Sequence, residues 1–292
     1  MNNSEMLENY AKNLGSAGKT RNLYLRYAKE FLDYADGNLD RETIEKYLRH
    51  LRYTPKSSDG SVNLIFRIIR TLFKRNEALL RENYFEWPFR RGEAPLIRED
   101  KINAPALDPN IIGEMIEAVK KNGEPDEKAF LAISTTYGTR RIEMVQLTQA
   151  DVKLKGKTIH IATVKHGRER THLIPGVIVP YLKEYNFDIG ISEFSLFTLW
   201  YRLEYRIGLE HTDQVGWHSI RRTLDTLLAD HLLPNTIRMF MRWKKGTSSD
   251  MVFRYSALKF VGREGTTTKV IGEAKDVDTK VFEVHPFLKY WE

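Results

Sequence analysis

The chain has 292 residues, a net charge of +7, and contents of 41% hydrophobic and 29% charged residues. These values describe a soluble globular protein of about two domains, and they exclude a disordered or membrane-embedded chain. The sequence contains no cysteine, which excludes disulfides, thiol catalysis and cysteine-ligated zinc. The excess of basic residues suits a polyanionic partner such as DNA.

Two further features concern location and source. The segment "MNNSEMLENYAKNLG" lacks the apolar core of a secretory signal, and no apolar run approaches the ~18 residues that span a bilayer. A cytoplasmic location is therefore expected. Only three glutamines, no cysteine and many Lys, Arg and Glu residues favour a thermophilic source.

The first ninety residues carry the apolar spacing of a small helical domain. A third helix is predicted in "SVNLIFRIIRTLFKRN", where Arg67, Arg70 and Lys74 lie at i, i+3 and i+7. This basic row fits contact with a DNA backbone or a solvated helix face, and the sequence favours neither. The two helices before it are predicted from apolar residues at i, i+3, i+4 and i+7. These are Tyr24, Tyr27, Ala28 and Phe31 in the first helix and Ile44, Tyr47, Leu48 and Leu51 in the second.

A change of pattern predicts a domain boundary after the helical segment. The stretch "RRGEAPLIREDKINAP" combines two prolines, a glycine and many charges without periodicity, as linkers do. Beyond it, helices are expected from Asp108 or Pro109 onward and over 126–136, with Gly138 interrupting the second. The predicted organisation is a helical domain over 1–92, a linker over 93–104, a main domain over 105–260 and a tail over 261–292.

One segment has the alternation typical of β-strands. In "DVKLKGKTIHIATVKHGRERTHLIP", turns at Gly156-Lys157 and at "KHGR" separate three short antiparallel strands, and Pro175 closes the last one. Helices are expected again over 178–260, whereas the final residues are charged and weakly patterned. The predicted fold class is mainly α with a small antiparallel β-hairpin sheet.

Three motifs carry candidate chemistry. In "YGTRRIEMVQL", Arg140 begins a helix and Glu143 lies one turn later. A guanidinium aimed by a carboxylate suits phosphate, although a surface ion pair is the more frequent arrangement. Lys165 precedes the hairpin turn, where it either donates to a ligand or makes the loop soluble. "HSIRRT" places His218 and Arg221 on one helical face, and a solvated basic helix is the alternative.

In their order, these motifs resemble those of the tyrosine recombinases, the phage-integrase class. That family has TGxRxxExxxL, a three-stranded hairpin with a lysine, HxxRHT, a His or Trp, and then a nucleophilic tyrosine. This chain has YGTRRIEMVQL, KHGRERTHLIP, HSIRRT, Trp243 and Tyr255 in that order. The N-terminal helices are similar to the family's core-binding domain, so the resemblance covers residues 10–258.

The resemblance implies a two-domain enzyme that cuts and rejoins DNA through a 3′-phosphotyrosyl intermediate, without metal, ATP or another cofactor. Arg140 and Arg221 would bind the non-bridging phosphate oxygens, and Lys165 would protonate the leaving 5′-oxygen. His218 would contact the same phosphate or take the proton of Tyr255. A tyrosine with a reference pKa of about 10 needs nearby cations to become a nucleophile.

Two more residues take roles from the resemblance, and some positions depart from the family pattern. Trp243 would donate its indole N–H where many relatives have histidine, and Glu143 would orient the first arginine. Tyr255 follows Trp243 by twelve residues, which is longer than the family's usual spacing. Arg222 replaces the histidine of HxxRHT, and Tyr137 replaces a threonine.

The resemblance also implies partners. Double-stranded DNA would be clamped by both domains, and recombination would require a homotetramer on two duplexes, formed from monomers or weak dimers. Residues 257–292 would dock on a neighbouring protomer or pack on their own domain, with equal support. The implied source is a mobile element of a thermophilic archaeon.

Three other functions are weighed against this one. A non-catalytic DNA-binding protein and a type IB topoisomerase would share much of the fold or the tyrosine chemistry. A zinc hydrolase built on His211 and His218 is disfavoured because six residues separate the two histidines and no HExxH motif is present. No membrane partner is expected.

Overall fold

The computed structural model describes residues 3–15, 18–53, 58–90, 92, 93, 95, 105–162, 169–212, 214–243 and 274–292. The chain divides into two compact units, Met1–Ile102 and Asn103–Glu292, and each unit has a hydrophobic core. The predicted linker lies outside the described residues apart from Glu93 and Pro95. Within the described ranges, no helix is long and apolar enough to cross a membrane.

The first unit is helical where it is described. Ala28, Phe31 and Ile44 of the predicted apolar stripes are fully buried. Helix α1 goes beyond the sequence prediction, because it buries only Met6 and Tyr10 and two apolar positions give little periodic signal. The helices are α1 (Asn3–Lys12), α2 (Gly18–Ala35), α3 (Arg41–Arg52), α4 (Asp59–Arg75) and α5 (Glu77–Glu82).

Helix α4 separates an apolar face from a basic one. Its N-cap is Ser58, whose hydroxyl accepts a hydrogen bond from the Ser61 N–H at 3.3 Å. Buried aliphatic and aromatic side chains occupy the inner face of the helix. The predicted basic row is exposed on the other face, at Arg67, Arg70 and Lys74, so these cations are accessible to an anionic ligand.

The second unit combines helices with one small sheet. The strands are β1 (Val152–Lys153), β2 (Thr158–Ile161) and β3 (Arg170–Leu173), ordered β1-β2-β3 and antiparallel, with Ile159 opposite His172. The mainly α fold with a three-stranded antiparallel sheet is therefore confirmed. The helices are α6 (Pro109–Asn122), α7 (Pro125–Tyr137), α8 (Arg141–Val145), α9 (Val179–Lys183), α10 (Glu193–Arg206), α11 (Trp217–Ala229), α12 (Pro234–Phe240) and α13 (Ala274–Glu283).

The ends of α6 and α7 follow the sequence signals. Asp108 caps α6 by accepting from the Asn110 N–H at 2.8 Å, and Pro109 occupies the first turn. Helix α7 ends at Gly138, whose φ of 54° lies in the left-handed region. The left-handed φ is what favours glycine here. A Cβ atom at Gly138 would also lie 2.7 Å from Cε of Met241, so the end of that side chain would have to shift.

The C-terminal segment packs on its own unit from 277 onward. Trp291 is 1% exposed and donates its indole N–H to Oγ1 of Thr135 at 3.1 Å. His285 is buried and donates from Nε2 to the Thr136 carbonyl at 3.0 Å. Phe287 is fully buried. The described part of the tail therefore packs on its own unit, whereas residues 257–273 lie outside the described residues, so the choice between the two arrangements for the whole segment stays a prediction.

Candidate oxyanion-binding site

Arg140 and Glu143 form a tightly held pair at the start of α8. Arg140 is the N-cap residue, and its backbone N–H donates to Oε2 of Glu143 at 2.9 Å. The guanidinium of Arg140 donates from Nη1 to Oε1 of the same carboxylate at 2.6 Å. Glu143 is buried, whereas 28% of the Arg140 side chain is exposed. The carboxylate therefore fixes the guanidinium at the edge of a pocket.

Arg221 reaches the same pocket from α11 and is almost wholly buried, with 3% of its surface exposed. Its guanidinium donates to the Gly138 carbonyl, and Nη2 donates to the Met241 carbonyl at 2.7 Å. Burial, followed by repulsion from Arg242 and Arg140, lowers the pKa of Arg221 to about 9. Arg221 therefore remains a cation at neutral pH while being anchored on two sides by backbone carbonyls.

His218 lies one helical turn before Arg221 and is exposed. Despite this exposure the ring loses part of its contact with water, and this partial burial, followed by repulsion from Arg221, Arg222 and Arg140, lowers the pKa of His218 below its ordinary value. The lowered pKa favours the neutral imidazole, which has one ring nitrogen free of a proton. A neutral imidazole in this position can accept a proton from an incoming group.

Trp243 and three further residues of α11 complete the pocket. The Arg221 guanidinium carbon lies 5.9 Å from the centroid of the Trp243 ring, within cation–π range. Arg222, Asp225 and Thr226 line the pocket, whose volume is about 280 Å³, together with the residues above. Burial raises the pKa of Asp225, although the nearby Arg221 and Arg222 oppose that shift.

The charges in this pocket favour an oxyanion. Three guanidinium groups and one carboxylate line it, so its net charge is about +2 when His218 is neutral. Guanidinium forks match the oxygen geometry of phosphate, and partial burial weakens the screening of their charge by water. A phosphate group or a phosphodiester is the ligand that this chemistry fits.

The structure brings together four of the six predicted catalytic residues. Arg140, His218, Arg221 and Trp243 line one pocket, and Glu143 accepts a hydrogen bond from the Arg140 guanidinium. Lys165 and Tyr255 lie outside the described residues. The basic row of α4 belongs to the other unit.

Sequence reasoning missed three charged residues around this site. Arg222 and Asp225 line the pocket directly. Arg222 lies at i+4 from His218 and Asp225 at i+4 from Arg221, and this helical spacing was the available signal. Arg242 is buried and does not line the pocket, but it donates from Nη2 to Oε2 of Glu143 at 3.0 Å. Arg242 directly precedes Trp243 in the sequence, and this was the sequence signal that could have placed it near the site.

The alternative zinc site does not form from the two histidines considered for it. His211 pairs through Nδ1 with the Glu204 carboxylate at 2.8 Å and through Nε2 with the Tyr201 hydroxyl at 3.2 Å. His218 lies instead in the oxyanion pocket. Across the described ranges, no group of three or more His, Asp or Glu side chains is placed to hold a metal.

Comparison with known proteins identifies the fold. No protein-family model and no curated protein sequence matches the chain. Solved structures do match: a lambda integrase dimer bound to a COC′ core site has a TM-score of 0.63 at 15% identity, covering 85% of this chain and 96% of that one. A lambda integrase tetramer bound to a Holliday junction has a TM-score of 0.63 at 14% identity, with coverages of 84% and 75%.

A third match comes from a transposon. The Tn1549 transposon integrase in complex with a circular intermediate DNA has a TM-score of 0.62 at 11% identity, covering 87% of this chain and 99% of that one. These structures share their fold with this chain. Their sequence identities to it are low enough that the comparison concerns architecture alone. The chain therefore shares the fold of these integrase structures. Its oxyanion pocket is lined by Arg140 at the start of α8, by residues of α11 and by Trp243 after α12.

Proposed function

We propose that this protein is a site-specific DNA recombinase, an integrase that cleaves and rejoins DNA through a 3′-phosphotyrosyl intermediate without metal or ATP. The observation that carries the proposal is the convergence of Arg140, His218, Arg221 and Trp243 on one pocket of about 280 Å³. These side chains are spread over about 100 residues of the sequence. The fold shared with the integrase structures supports the same assignment.

The pocket supplies the charge stabilisation that phosphoryl transfer requires. Arg140 and Arg221 donate to the two non-bridging oxygens, where negative charge increases as the phosphorus becomes five-coordinate. Both guanidiniums are held in place before substrate binds, by Glu143 and by backbone carbonyls respectively. Preorganised donors of this kind lose little free energy to reorientation during the reaction. The Trp243 N–H is proposed as a further donor.

The nucleophile and the acid are proposed from the motifs. The Tyr255 oxygen attacks phosphorus, its proton passes to the neutral His218 imidazole, and a Tyr255–phosphate bond forms. The bond between phosphorus and the 5′-oxygen breaks, and Lys165 gives that oxygen a proton. Religation is the reverse of these steps with a 5′-hydroxyl of another strand. One phosphodiester is exchanged for another, so the reaction needs no external energy source.

Double-stranded DNA is the proposed partner, with contacts from both units. Arg67, Arg70 and Lys74 are exposed on one face of α4, which suits contact with consecutive phosphates. A homotetramer on two duplexes is proposed for strand exchange, as in the lambda integrase tetramer bound to a Holliday junction. Free protomers are proposed to be monomers or weak dimers, and a role in a mobile element is part of the same proposal.

Covalent trapping tests the proposal. The protein is incubated in EDTA with a pool of nicked duplexes whose sequence around the nick is random. Cleavage next to the nick releases a short fragment, so religation is lost and the adduct accumulates. Adducts are separated on a denaturing gel and their DNA is sequenced. Tyr255→Phe is the test variant, and Tyr205→Phe is the matched control, because Tyr205 is 88% exposed and does not line the pocket.

We expect an adduct from wild type and from Tyr205→Phe, and none from Tyr255→Phe. An adduct that persists in Tyr255→Phe would assign the nucleophile to another tyrosine. DNA binding without any adduct would favour the non-catalytic DNA-binding protein. If an adduct forms, the protein is next incubated with a supercoiled plasmid that carries the recovered sequence, and relaxation without strand exchange would favour the topoisomerase-like activity.

A further inference from the structure

Arg242 occupies an unusual backbone position for its residue type. It follows helix α12 with a φ of 59°, in the left-handed region, which costs a non-glycine residue free energy. Its side chain is nonetheless almost completely buried, with 1% of the residue exposed. Fixed in this way, the backbone turns the Arg242 side chain inward and the following residue, Trp243, toward the oxyanion pocket.

The buried guanidinium joins two parts of the second unit. Nη2 of Arg242 donates to Oε2 of Glu143 at 3.0 Å, on α8. Nη1 lies 3.1 Å from Nε2 of His172, on β3. Further donations reach the carbonyls of Tyr137 at 3.3 Å and Phe240 at 3.2 Å. A planar fork with several fixed donors is the geometry that lysine cannot reproduce.

His172 must be neutral to take part in this arrangement. An arginine has donors only, so Nε2 of His172 accepts from Arg242 and the ring proton is on Nδ1. That Nδ1–H donates to Oδ1 of Asp278 at 3.0 Å. Asp278 is buried on α13, and it also accepts from the Leu173 N–H at 2.7 Å and from Arg170 at 3.1 Å. The Arg242 guanidinium is therefore held at Nη1 by His172 and at Nη2 by Glu143.

Glu143 depends on Arg242 for its second cation. Its Oε1 is taken by the Arg140 guanidinium at 2.6 Å, and its Oε2 accepts from the Arg140 backbone at 2.9 Å and from Arg242 at 3.0 Å. Burial raises the pKa of Glu143, but Arg242, then Arg140 and Arg221, outweigh burial and hold this pKa below its ordinary value. Without Arg242, a fully buried carboxylate would keep only a partly exposed partner.

We propose that Arg242 is a positioning residue of the oxyanion pocket: it fixes the Glu143 carboxylate, which in turn fixes the Arg140 guanidinium against the phosphate. The inference rests on the proposed function in one respect, that the pocket binds a phosphate oxyanion. Arg242 itself does not line the pocket, so its effect on a ligand passes through Glu143.

The test combines sulfate binding with a spectroscopic signal from Arg140, in the full chain and without DNA. Sulfate affinity is measured by calorimetry for wild type, Arg242→Met and Arg242→Lys. The ¹⁵Nε–¹Hε resonance of Arg140, assigned with Arg140→Lys, reports whether its guanidinium is held. Arg206→Met is the matched control, because Arg206 also binds a fully buried carboxylate, Glu127, at 2.7 and 3.0 Å but does not line this pocket.

We expect Arg242→Met to weaken sulfate binding about tenfold, or about 1.4 kcal/mol, and to move the Arg140 resonance toward that of free arginine. Arg242→Lys should recover part of both losses, and Arg206→Met should change neither. If Arg242→Met does not fold, Arg242→Lys carries the test, since it keeps the charge and loses the fork. A folded Arg242 variant with wild-type sulfate affinity and an unchanged Arg140 resonance would overturn the proposal. Sulfate affinity and the Arg140 resonance involve neither DNA nor Tyr255. A failure of the recombinase assignment can therefore be distinguished from a failure of the proposed role of Arg242.

Discussion

Removing the Trp291 side chain tests where the C-terminal segment packs. The indole is 1% exposed, its ring centroid lies 4.7 Å from that of Tyr181, and its N–H donates to Thr135. Truncating a buried tryptophan to alanine costs about 3–5 kcal/mol through lost burial and a cavity. Thr135 keeps its own donation to the Leu131 carbonyl at 2.7 Å. The loss of the hydrogen bond from the indole therefore adds little to the cost of about 3–5 kcal/mol. We expect Trp291→Ala to destabilise the free protomer by this amount.

Urea unfolding, followed by circular dichroism at several protein concentrations, measures the effect. With a urea dependence of about 2 kcal/mol per M, the unfolding midpoint of the second unit should fall by roughly 2 M. Trp291→Phe, which keeps an aromatic ring and loses the hydrogen bond, should cost much less. The shift should not depend on concentration, because the contact lies within one chain. An unchanged midpoint would contradict the packing of Trp291 in the free protomer. A shift that grows with protein concentration would show that the tail packs on a neighbouring protomer instead.

Three further predictions follow from the charges. Burial lowers the pKa of His285 to about 4, so between pH 6.5 and 4 the unfolded state binds a proton at this residue that the folded state does not bind. The free energy of unfolding should therefore fall by about 3 kcal/mol between pH 6.5 and 4 on account of this group, as measured by urea unfolding. The pKa of His218 is lowered by burial and then by its neighbouring arginines, so sulfate affinity should rise as acid adds a charge to the ring. Changing Arg67, Arg70 and Lys74 to Gln should reduce the slope of log affinity against log salt for duplex DNA by about 2–3.

Each of these predictions has a control. His285→Gln retains both a donor and an acceptor and should remove its share of the acid sensitivity, whereas equal sensitivity in the variant would contradict the burial argument. His218→Gln should reduce the rise of sulfate affinity with acid, and the rise that remains should come from Asp225, which lines the same pocket and has a pKa raised by burial. For the basic row, Lys29→Gln and Lys46→Gln are matched changes, because these exposed lysines already pair with acidic neighbours. An equal loss of salt dependence in the controls would mean that α4 makes no specific contact.

The predictable parts of this molecule are those with a local cause. Apolar side chains one helical turn apart predicted α2, α3 and α4, and alternation with two turns predicted the sheet. The pocket was predictable to the extent that Arg140, Glu143, His218 and Arg221 each stand in a short motif with a helical spacing.

The remaining features depend on distant residues. Asp278 meets His172 across 106 positions, and Arg242 meets Glu143 across 99, so no window of sequence contains both partners. A buried arginine with a positive φ also runs against the usual preferences of its residue type. Helix α13 was missed because its segment is charged, and its burial is decided by contacts with β3 such as the Asp278–Leu173 hydrogen bond.

The most direct test of the recombinase assignment is to identify the atom that carries the DNA. Adducts trapped on nicked duplexes in EDTA are digested with nuclease and protease, and the peptide that retains a nucleotide is sequenced by mass spectrometry. We expect a 3′-linked nucleotide on Tyr255 and a 5′-hydroxyl on the released strand. A nucleotide on any other residue, a 5′-linked adduct, or an adduct that forms only with a divalent metal would contradict the account.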